Sequence, residues 1–177
     1  MRAKKQSKDF VMSFIICKFA SDKKNLREAG HRYRQIRYMS KIEDVRIVEL
    51  PKFLDARGNL SFIEQLNHIP FEIKRTYWIY DVPGGEVRGG HAFKQNQEFI
   101  VALSGSFDVI VDDGKVKKKF TLSRSYYGLY VPAGLWREIE NFSTNSLALE
   151  FGSMHYDVND YVRDYQEYLT LKDNGKI

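Results

Sequence analysis

The sequence predicts an all-β domain, arranged as a sandwich, barrel or jelly roll, that ends in one amphipathic helix. Three observations support this. Short segments of β-branched and aromatic residues recur from Val45 onward, turn residues separate them, and a helical repeat appears only near the C-terminus. No internal repeat or linker interrupts residues 39–177, so we expect this region to form a single domain.

The predicted strands are short, and several alternate apolar and polar residues. They are VRIVEL, NLSFIEQ, FEIKRTYWIYDV, EFIVALSG, SFDVIVDDG, KVKKKFTL, YYGLYVP, WREIENF and SLALEFG. In SFDVIVDD the alternation places Phe107, Val109 and Val111 on one face. Asp113-Gly114 indicates a hairpin, because both residue types tolerate a positive φ.

The C-terminal segment has a different period. Its apolar and aromatic residues recur at helical spacing, as Val158, Tyr161, Val162, Tyr165, Tyr168 and Leu169. Asp157 stands where an N-cap side chain would accept a backbone hydrogen bond. We therefore expect an amphipathic helix that begins after Asp157 and packs on the outside of the barrel.

The net charge of +5 is unevenly distributed. Residues 1–38 contain 11 Lys and Arg against 3 Asp and Glu, whereas residues 39–177 contain 17 against 20. We interpret 1–38 as a basic extension outside the functional domain, with a basic interaction arm and an export signal as alternatives. Because the body is mildly acidic, we expect no nucleic-acid partner.

Cysteine content and hydropathy indicate the cellular compartment in which the protein is expected. Cys17 is the single cysteine, so no intramolecular disulfide can form and a reducing compartment fits. No apolar run approaches the roughly 18 residues that span a bilayer. These features predict a cytoplasmic protein with no membrane partner.

A partial metal-binding motif surrounds His91. Gly85, His91, Glu98 and Gly105 keep the spacing Gly-x5-His-x-His-x3–4-Glu-x6-Gly, but Phe93 stands where the second histidine belongs. This spacing resembles the first motif of the cupins.

A second cupin-like motif follows in the expected order. Pro132, Gly134 and Asn141 match Pro-x-Gly-x2-His-x3-Asn, and Arg137 stands at the histidine position. A metal cupin needs about three imidazoles and a carboxylate, and a guanidinium stays cationic at any working pH. We therefore predict a site without metal or other cofactor, at a barrel mouth lined by His91, Glu98, Trp136 and Arg137. A simple ion pair between Glu98 and Arg137, and a core position for Trp136, are the alternatives.

Seven further segments occur in the order and spacing of one cupin family. They are the Asp55–Gly58 turn, IPFEIKRTYWIYD, RGGHA, LSGS, DDG, GLYVP and YVRDYQEY. From about Val45 to Tyr168 the chain resembles the sugar 3,4-ketoisomerases, WxcM-like cupins that act on dTDP-4-keto-6-deoxyglucose.

The resemblance implies a fold and an activity. The fold is an RmlC-like double-stranded β-helix, or jelly-roll barrel, in a homodimer. The activity is metal-independent conversion of a dTDP-4-keto-6-deoxyhexose into the dTDP-3-keto-6-deoxyhexose through an enediolate. The product would serve the biosynthesis of deoxyamino sugars in surface polysaccharides.

The resemblance also implies roles for individual residues. His91 and Tyr77 are the candidates for proton transfer. The candidates for substrate binding are Arg57, Arg75, Arg88, Glu98, Trp136, Arg137, Phe93 and Tyr130, of which the first three are expected to face the diphosphate. Because Phe93 replaces a histidine of the family, a catalytically silent nucleotide-sugar-binding cupin and a 3,5-epimerase remain alternatives.

The reaction calls for these residue types on chemical grounds. The hydrogen at C3 of a 4-keto sugar is acidic, and a base with a pKa near the working pH, such as histidine, can remove it. The enediolate oxygens need hydrogen-bond donors, which Tyr77 or an arginine can provide. A diphosphate favours arginine, whose planar fork pairs with two oxygens at once.

Overall fold

The structure, a computed structural model, describes residues 39–177. The interpretation of residues 1–38 as a basic extension lies outside the described residues. Within the described range, no helix is long and apolar enough to cross a membrane.

Strands dominate the described part of the chain. They are β1 (Arg46–Glu49), β2 (Phe53–Asp55), β3 (Gly58–Leu60), β4 (Arg75–Ile79), β5 (Arg88–Phe93), β6 (Glu98–Ser104), β7 (Phe107–Asp112), β8 (Lys117–Leu122), β9 (Tyr127–Val131), β10 (Trp136–Glu140), β11 (Leu147–Gly152) and β12 (Tyr161–Val162). One α-helix, α1 (Tyr165–Asp173), follows them, and 3-10 turns occupy Ile42–Asp44 and Val158–Asp160.

Two five-stranded antiparallel sheets form the body of the domain. Sheet 1 has the order β1-β9-β6-β11-β4, and sheet 2 has the order β12-β5-β10-β7-β8. The hairpin β2-β3 forms a separate two-stranded sheet. The predicted all-β domain with a C-terminal helix is confirmed.

The main core consists of side chains that alternate inward along strands of both sheets. Phe107, Val109 and Val111 of β7 belong to it, as the alternation in SFDVIVDD predicted. Ile100 of β6 and Ala148 of β11 face them from sheet 1. Because successive strand residues point to opposite faces, every second position along these strands lies between the sheets.

The helix prediction was wrong about where the helix begins. Helix α1 starts at Tyr165, where the side chain of Asp164 caps it by accepting a hydrogen bond from the backbone N–H of Glu167. Asp157 instead caps the 3-10 turn, and Tyr161–Val162 form β12, which pairs with β5. Pairing with β5 satisfies the backbone N–H and C=O groups of Tyr161 and Val162, which intrahelical hydrogen bonds would satisfy if this segment were helical.

The predicted packing of the helix outside the barrel is confirmed. The Tyr165 and Tyr168 hydroxyls donate to the side chain and the backbone carbonyl of Asp112, at 2.7 and 2.8 Å. The Trp136 ring packs against both tyrosines, with centroid distances of 5.1 and 5.7 Å. Helix α1 therefore covers the outer face of sheet 2.

The strand prediction also had errors. NLSFIEQ was predicted as a strand, but β3 ends at Leu60 and residues 61–64 have no strand structure. Strands β2, β5 and β12 were not among the predicted segments. Strand β5 contains Gly89, with φ of 70°, and Gly90, which lower its strand propensity.

Gly128 in β9 is a position where any side chain would clash. A Cβ there would lie 2.5 Å from Cζ of Phe99 and 2.6 Å from the carbonyl oxygen of Ile100. We expect Gly128→Ala to lower the free energy of unfolding by about 1–3 kcal/mol through overpacking, measured by urea denaturation. Gly84→Ala is the matched control, because no atom of the described residues lies within 4 Å of its added Cβ. Equal stability of the two variants would contradict the close approach of β6 and β9.

Candidate active site

A group of polar and aromatic side chains continues the inward faces of both sheets. Its members are Arg75 and Tyr77 of β4, His91 and Phe93 of β5, Glu98 of β6, Arg137 of β10 and Glu150 of β11. Glu98, Arg137 and Glu150 each lie two residues from a core residue of the same strand, namely Ile100, Ile139 and Ala148. Strand alternation thus places charged groups beside the main core.

Arg137 is the centre of this site, and its side chain is 2% exposed. Its Nε donates to Oε2 of Glu98 at 2.9 Å, and its Nη2 donates to Oε1 of Glu98 at 2.8 Å. Nη2 also donates to Oε2 of Glu150 at 2.7 Å, and Nη1 donates to the carbonyl oxygen of Gly89 at 3.1 Å. The ion pair between Glu98 and Arg137, left open by the sequence, is present.

The Tyr77 hydroxyl lies between the two carboxylates. It forms a short hydrogen bond with Oε1 of Glu98 and lies 2.8 Å from Oε2 of Glu150. Nη2 of Arg137 is 3.4 Å from the same hydroxyl oxygen. These four residues form one hydrogen-bonded unit, which we call the arginine network.

Burial and mutual charge set the ionisation of the arginine network. Burial opposes ionisation of Glu98, but Arg137 outweighs it and lowers the Glu98 pKa. Burial raises the pKa of Glu150 to about 7, and the charge of Glu98 adds to this shift while Arg137 opposes it. Burial and the two carboxylates raise the pKa of Tyr77 far above its usual value. The Tyr77 phenol is therefore protonated at neutral pH.

His91 lies in apolar surroundings beside the arginine network. The Phe93 and Tyr161 rings contact its imidazole, with centroid distances of 4.6 and 4.9 Å. Burial, followed by the charge of Arg137, lowers the pKa of His91 to about 3. The imidazole is therefore neutral at pH 7, and its buried Nε2 has no hydrogen-bond partner among the described residues.

Arg75 lies on the same inward face, surrounded by aromatic rings. Its guanidinium carbon is 5.2 Å from the ring centroid of Tyr77, 5.3 Å from that of Phe93 and 5.8 Å from that of Tyr161. Its Nε and Nη2 are buried and have no hydrogen-bond partner within residues 39–177. A cation with unused donors is suited to binding an anionic group.

The structure brings together six of the ten predicted site residues: Arg75, Tyr77, His91, Phe93, Glu98 and Arg137. Trp136 and Tyr130 face away from them. Trp136 lies on the outer face of sheet 2 beneath Tyr165 and Tyr168, the core position that the sequence left open. Tyr130 packs against Phe71 on the outer face of sheet 1.

Arg57 and Arg88 are exposed. Arg57 lies in the β2-β3 turn and pairs with Asp55 at 2.7 Å, with 89% of its side chain exposed. Arg88 is the first residue of β5 and does not join the inward-facing group. Neither arginine contacts the arginine network.

Sequence reasoning missed two residues of the site. Glu150 is fully buried, and its position in SLALEFG, two residues after Ala148, places it on the inward face. The signal that could have indicated a buried functional role was a single carboxylate among the apolar residues of SLALEFG. Tyr161 was assigned to the helix, but as part of β12 it contacts both His91 and Phe93.

The donor set does not resemble a metal centre. Within residues 39–177, no three His, Cys, Asp or Glu side chains are grouped as they would be around a metal ion. The guanidinium of Arg137 lies between the carboxylates of Glu98 and Glu150. The metal-free site stays a prediction that rests on this cation.

Removing Arg137 would leave Glu98 and Glu150 buried without their cation. We expect Arg137→Met to lower the free energy of unfolding by about 3–5 kcal/mol, measured by urea denaturation at pH 7. The matched control is Arg57→Met, which breaks an exposed pair and should have no measurable effect. A loss no larger than that of the control would contradict the central position of Arg137.

Comparisons with known proteins identify the family of this chain. The model of the family described as "FdtA: WxcM-like, C-terminal" matches residues 43–173. The chain is 40% identical, over 70% of its length and 88% of the relative's, to a TDP-4-oxo-6-deoxy-alpha-D-glucose-3,4-oxoisomerase from Aneurinibacillus thermoaerophilus.

Two solved structures are also similar to this chain. One is the WlaRB TDP-quinovose 3,4-ketoisomerase from Campylobacter jejuni, with 40% identity, a TM-score of 0.70, and coverage of 73% of this chain and 99% of that chain. The other is QdtA, a sugar 3,4-ketoisomerase from Thermoanaerobacterium thermosaccharolyticum in complex with TDP, with 30% identity and a TM-score of 0.73. That match covers 76% of this chain and 98% of QdtA. The two-sheet body also shares its RmlC-like cupin fold with the dTDP-4-dehydrorhamnose 3,5-epimerase from Bacillus anthracis, at 16% identity and a TM-score of 0.62 over 70% of this chain and 80% of that chain. The chain therefore belongs to the WxcM-like family of sugar 3,4-ketoisomerases.

Proposed function

We propose that this protein isomerises a dTDP-4-keto-6-deoxyhexose to the corresponding dTDP-3-keto-6-deoxyhexose. The observation that carries this proposal is the buried, neutral imidazole of His91, which faces the same interior as the Tyr77 hydroxyl and whose Nε2 has no hydrogen-bond partner among residues 39–177. A proton acceptor and a proton donor inside one water-poor barrel are what an enediolate isomerisation needs.

The low pKa of His91 fits both halves of the reaction. The neutral imidazole removes a proton from C3, and an enediolate begins to form between C3 and C4. The negative charge that develops on the enediolate oxygens lies close to the new imidazolium and stabilises it. Because burial and Arg137 disfavour that imidazolium, it readily returns the proton to C4. No external oxidant is needed, since the carbonyl moves from C4 to C3 within one molecule.

Substrate binding requires cationic groups for the diphosphate. Arg75 contributes donors that have no partner among the described residues, Arg88 is exposed, and Arg57 is exposed in its pair with Asp55, where a phosphate could compete for it. Phe93 contributes an apolar wall beside His91. The outward positions of Trp136 and Tyr130 do not support their proposed contact with the sugar or the base.

Exposed apolar side chains indicate how the protein assembles. We infer a homodimer, because apolar side chains are exposed on the β2-β3 hairpin and on the edge strand β4, including Phe53, Leu54, Leu60 and Trp78. We infer a cytoplasmic enzyme, because a single cysteine fits a reducing compartment. There its product would be a precursor of deoxyamino sugars in surface polysaccharides.

A catalytically silent nucleotide-sugar-binding cupin is the second candidate. Phe93 favours it, because the buried phenyl ring occupies the position of the second motif histidine and packs edge-on against His91. Such a protein would bind the dTDP sugar without exchanging any carbon-bound proton. A 3,5-epimerase would add exchange at C5.

Proton NMR of the full chain with dTDP-4-keto-6-deoxyglucose in deuterium oxide tests the proposal. We expect loss of the C3 proton signal and formation of the 3-keto product. His91→Asn should slow turnover by about 10²–10⁴-fold, because the variant lacks the proton acceptor. The matched control is His155→Asn, an exposed histidine outside the site, which should keep the wild-type rate.

Three results would count against the proposal. Binding without exchange at any carbon would favour the silent cupin. Exchange at both C3 and C5 would favour the epimerase. Full turnover by His91→Asn would show that another group removes the C3 proton.

A further inference from the structure

We propose that Glu150 holds a proton in the resting site and supplies it to Tyr77 during turnover. This inference rests on the proposed isomerase function and extends it to a residue that no motif of the sequence indicated. Glu150 acts through Tyr77 rather than on the substrate.

The hydrogen bonds of Tyr77 place the proton. A phenol has one hydrogen, so the Tyr77 hydroxyl can donate to only one of the two carboxyl groups that contact it. The second contact is favourable only if that carboxyl group donates to the phenol oxygen. A proton on one of the two carboxyl groups therefore satisfies both contacts.

Arg137 decides which carboxyl group carries it. Glu98 receives two hydrogen bonds from Arg137, from Nε and from Nη2, a bidentate arrangement that stabilises a carboxylate. Glu150 receives one hydrogen bond from Nη2, and its buried Oε1 has no partner among the described residues. A full negative charge on that unpartnered oxygen would be costly, whereas a neutral acid is tolerated.

Charge balance supports the same assignment. The ionisable groups that face Glu150 are Tyr77 from β4, Glu98 from β6 and Arg137 from β10. With both carboxylates ionised, the buried network would have one excess negative charge. A proton on Glu150 leaves one cation and one anion in the network, which a buried site can hold. Arg75, the other cation of the inward face, lies against the Tyr77 and Phe93 rings rather than against either carboxylate. Burial and the charge of Glu98 accordingly raise the pKa of Glu150 to about 7.

The isomerisation must add a proton to O4 and remove one from O3, and the proton held by Glu150 makes both transfers possible. As His91 removes the C3 proton and enediolate charge develops on O4, the Tyr77 hydroxyl protonates O4, which gives the enediol, and Glu150 passes its proton to the phenol oxygen. The negative charge then resides on Glu150 and the positive charge on His91. In the second half, O3 returns a proton to Tyr77, Tyr77 returns one to Glu150, and His91 protonates C4. Each group ends in its starting protonation state.

The first test is infrared difference spectroscopy of the full chain at pH 6, comparing wild type with Glu150→Gln. The wild-type spectrum should contain the carbonyl stretch of a protonated carboxylic acid, and the variant should lack it. Glu140→Gln is the matched control, because Glu140 is a partly exposed carboxylate that pairs with Lys119 outside the site, and it should keep the band. If Glu150→Gln does not fold, the wild-type protein alone tests the stored proton. Its carboxylic-acid band should disappear as the pH rises through about 7, because Glu150 then loses its proton.

The second test is the pH dependence of turnover. Wild-type kcat should fall as the pH rises through about 7, because the proton-holding form is then lost. Glu150→Gln keeps the size of the side chain but cannot release a proton, so kcat should fall at least about tenfold with little change in KM, and the alkaline limb near pH 7 should vanish.

The outcomes separate this inference from the proposed function. A band unchanged by Glu150→Gln, or absent from the wild type at pH 6, overturns the stored proton. Loss of the band with wild-type kcat and pH profile overturns the transfer to Tyr77. A wild type that has the band but exchanges no substrate proton refutes the transfer and the isomerase while confirming the stored proton.

Discussion

Arg137 lies between Glu98 and Glu150 with almost no solvent exposure, and the other features of the site depend on this contact. A buried guanidinium requires a counter-charge, and Glu98 provides it through two parallel hydrogen bonds. One cation cannot balance two buried carboxylates. Burial and the charge of Glu98 therefore raise the pKa of the second carboxylate, Glu150. The position that holds a metal-binding histidine in other cupins thus holds a fixed positive charge in this chain.

That fixed charge also determines the state of His91. Apolar contact with Phe93 and Tyr161 removes water from the imidazole, and the nearby guanidinium adds electrostatic repulsion of a second cation. Both effects favour the neutral ring. Phe93, which appears in the sequence as a lost ligand, therefore acts in the structure as part of the environment that keeps His91 ready to accept a proton.

The sequence predicted much of this arrangement because strand periodicity and motif spacing are local. Alternation in SFDVIVDD placed Phe107, Val109 and Val111 in the core, and the two motifs located His91, Glu98 and Arg137. Glu150 was not predicted, because its role arises from strands that meet only in the fold. Trp136 and Tyr130 were placed in the site on residue type alone, although neighbouring strand positions point to opposite faces. The start of α1 was missed because pairing of β12 with β5 competes with the helical period.

The most direct measurement is the protonation state of His91, followed by nitrogen-15 NMR of the ring nitrogens as the pH is lowered. The structure predicts a neutral imidazole at pH 7 that stays neutral until the pH approaches about 3 or the protein unfolds, because burial and Arg137 both oppose the charged form. Exposed His155 provides the internal reference for the ring signals of a solvent-accessible imidazole. A His91 ring that becomes protonated near the ordinary histidine pKa of about 6.5 would contradict the account, since the arginine network would then not control the site.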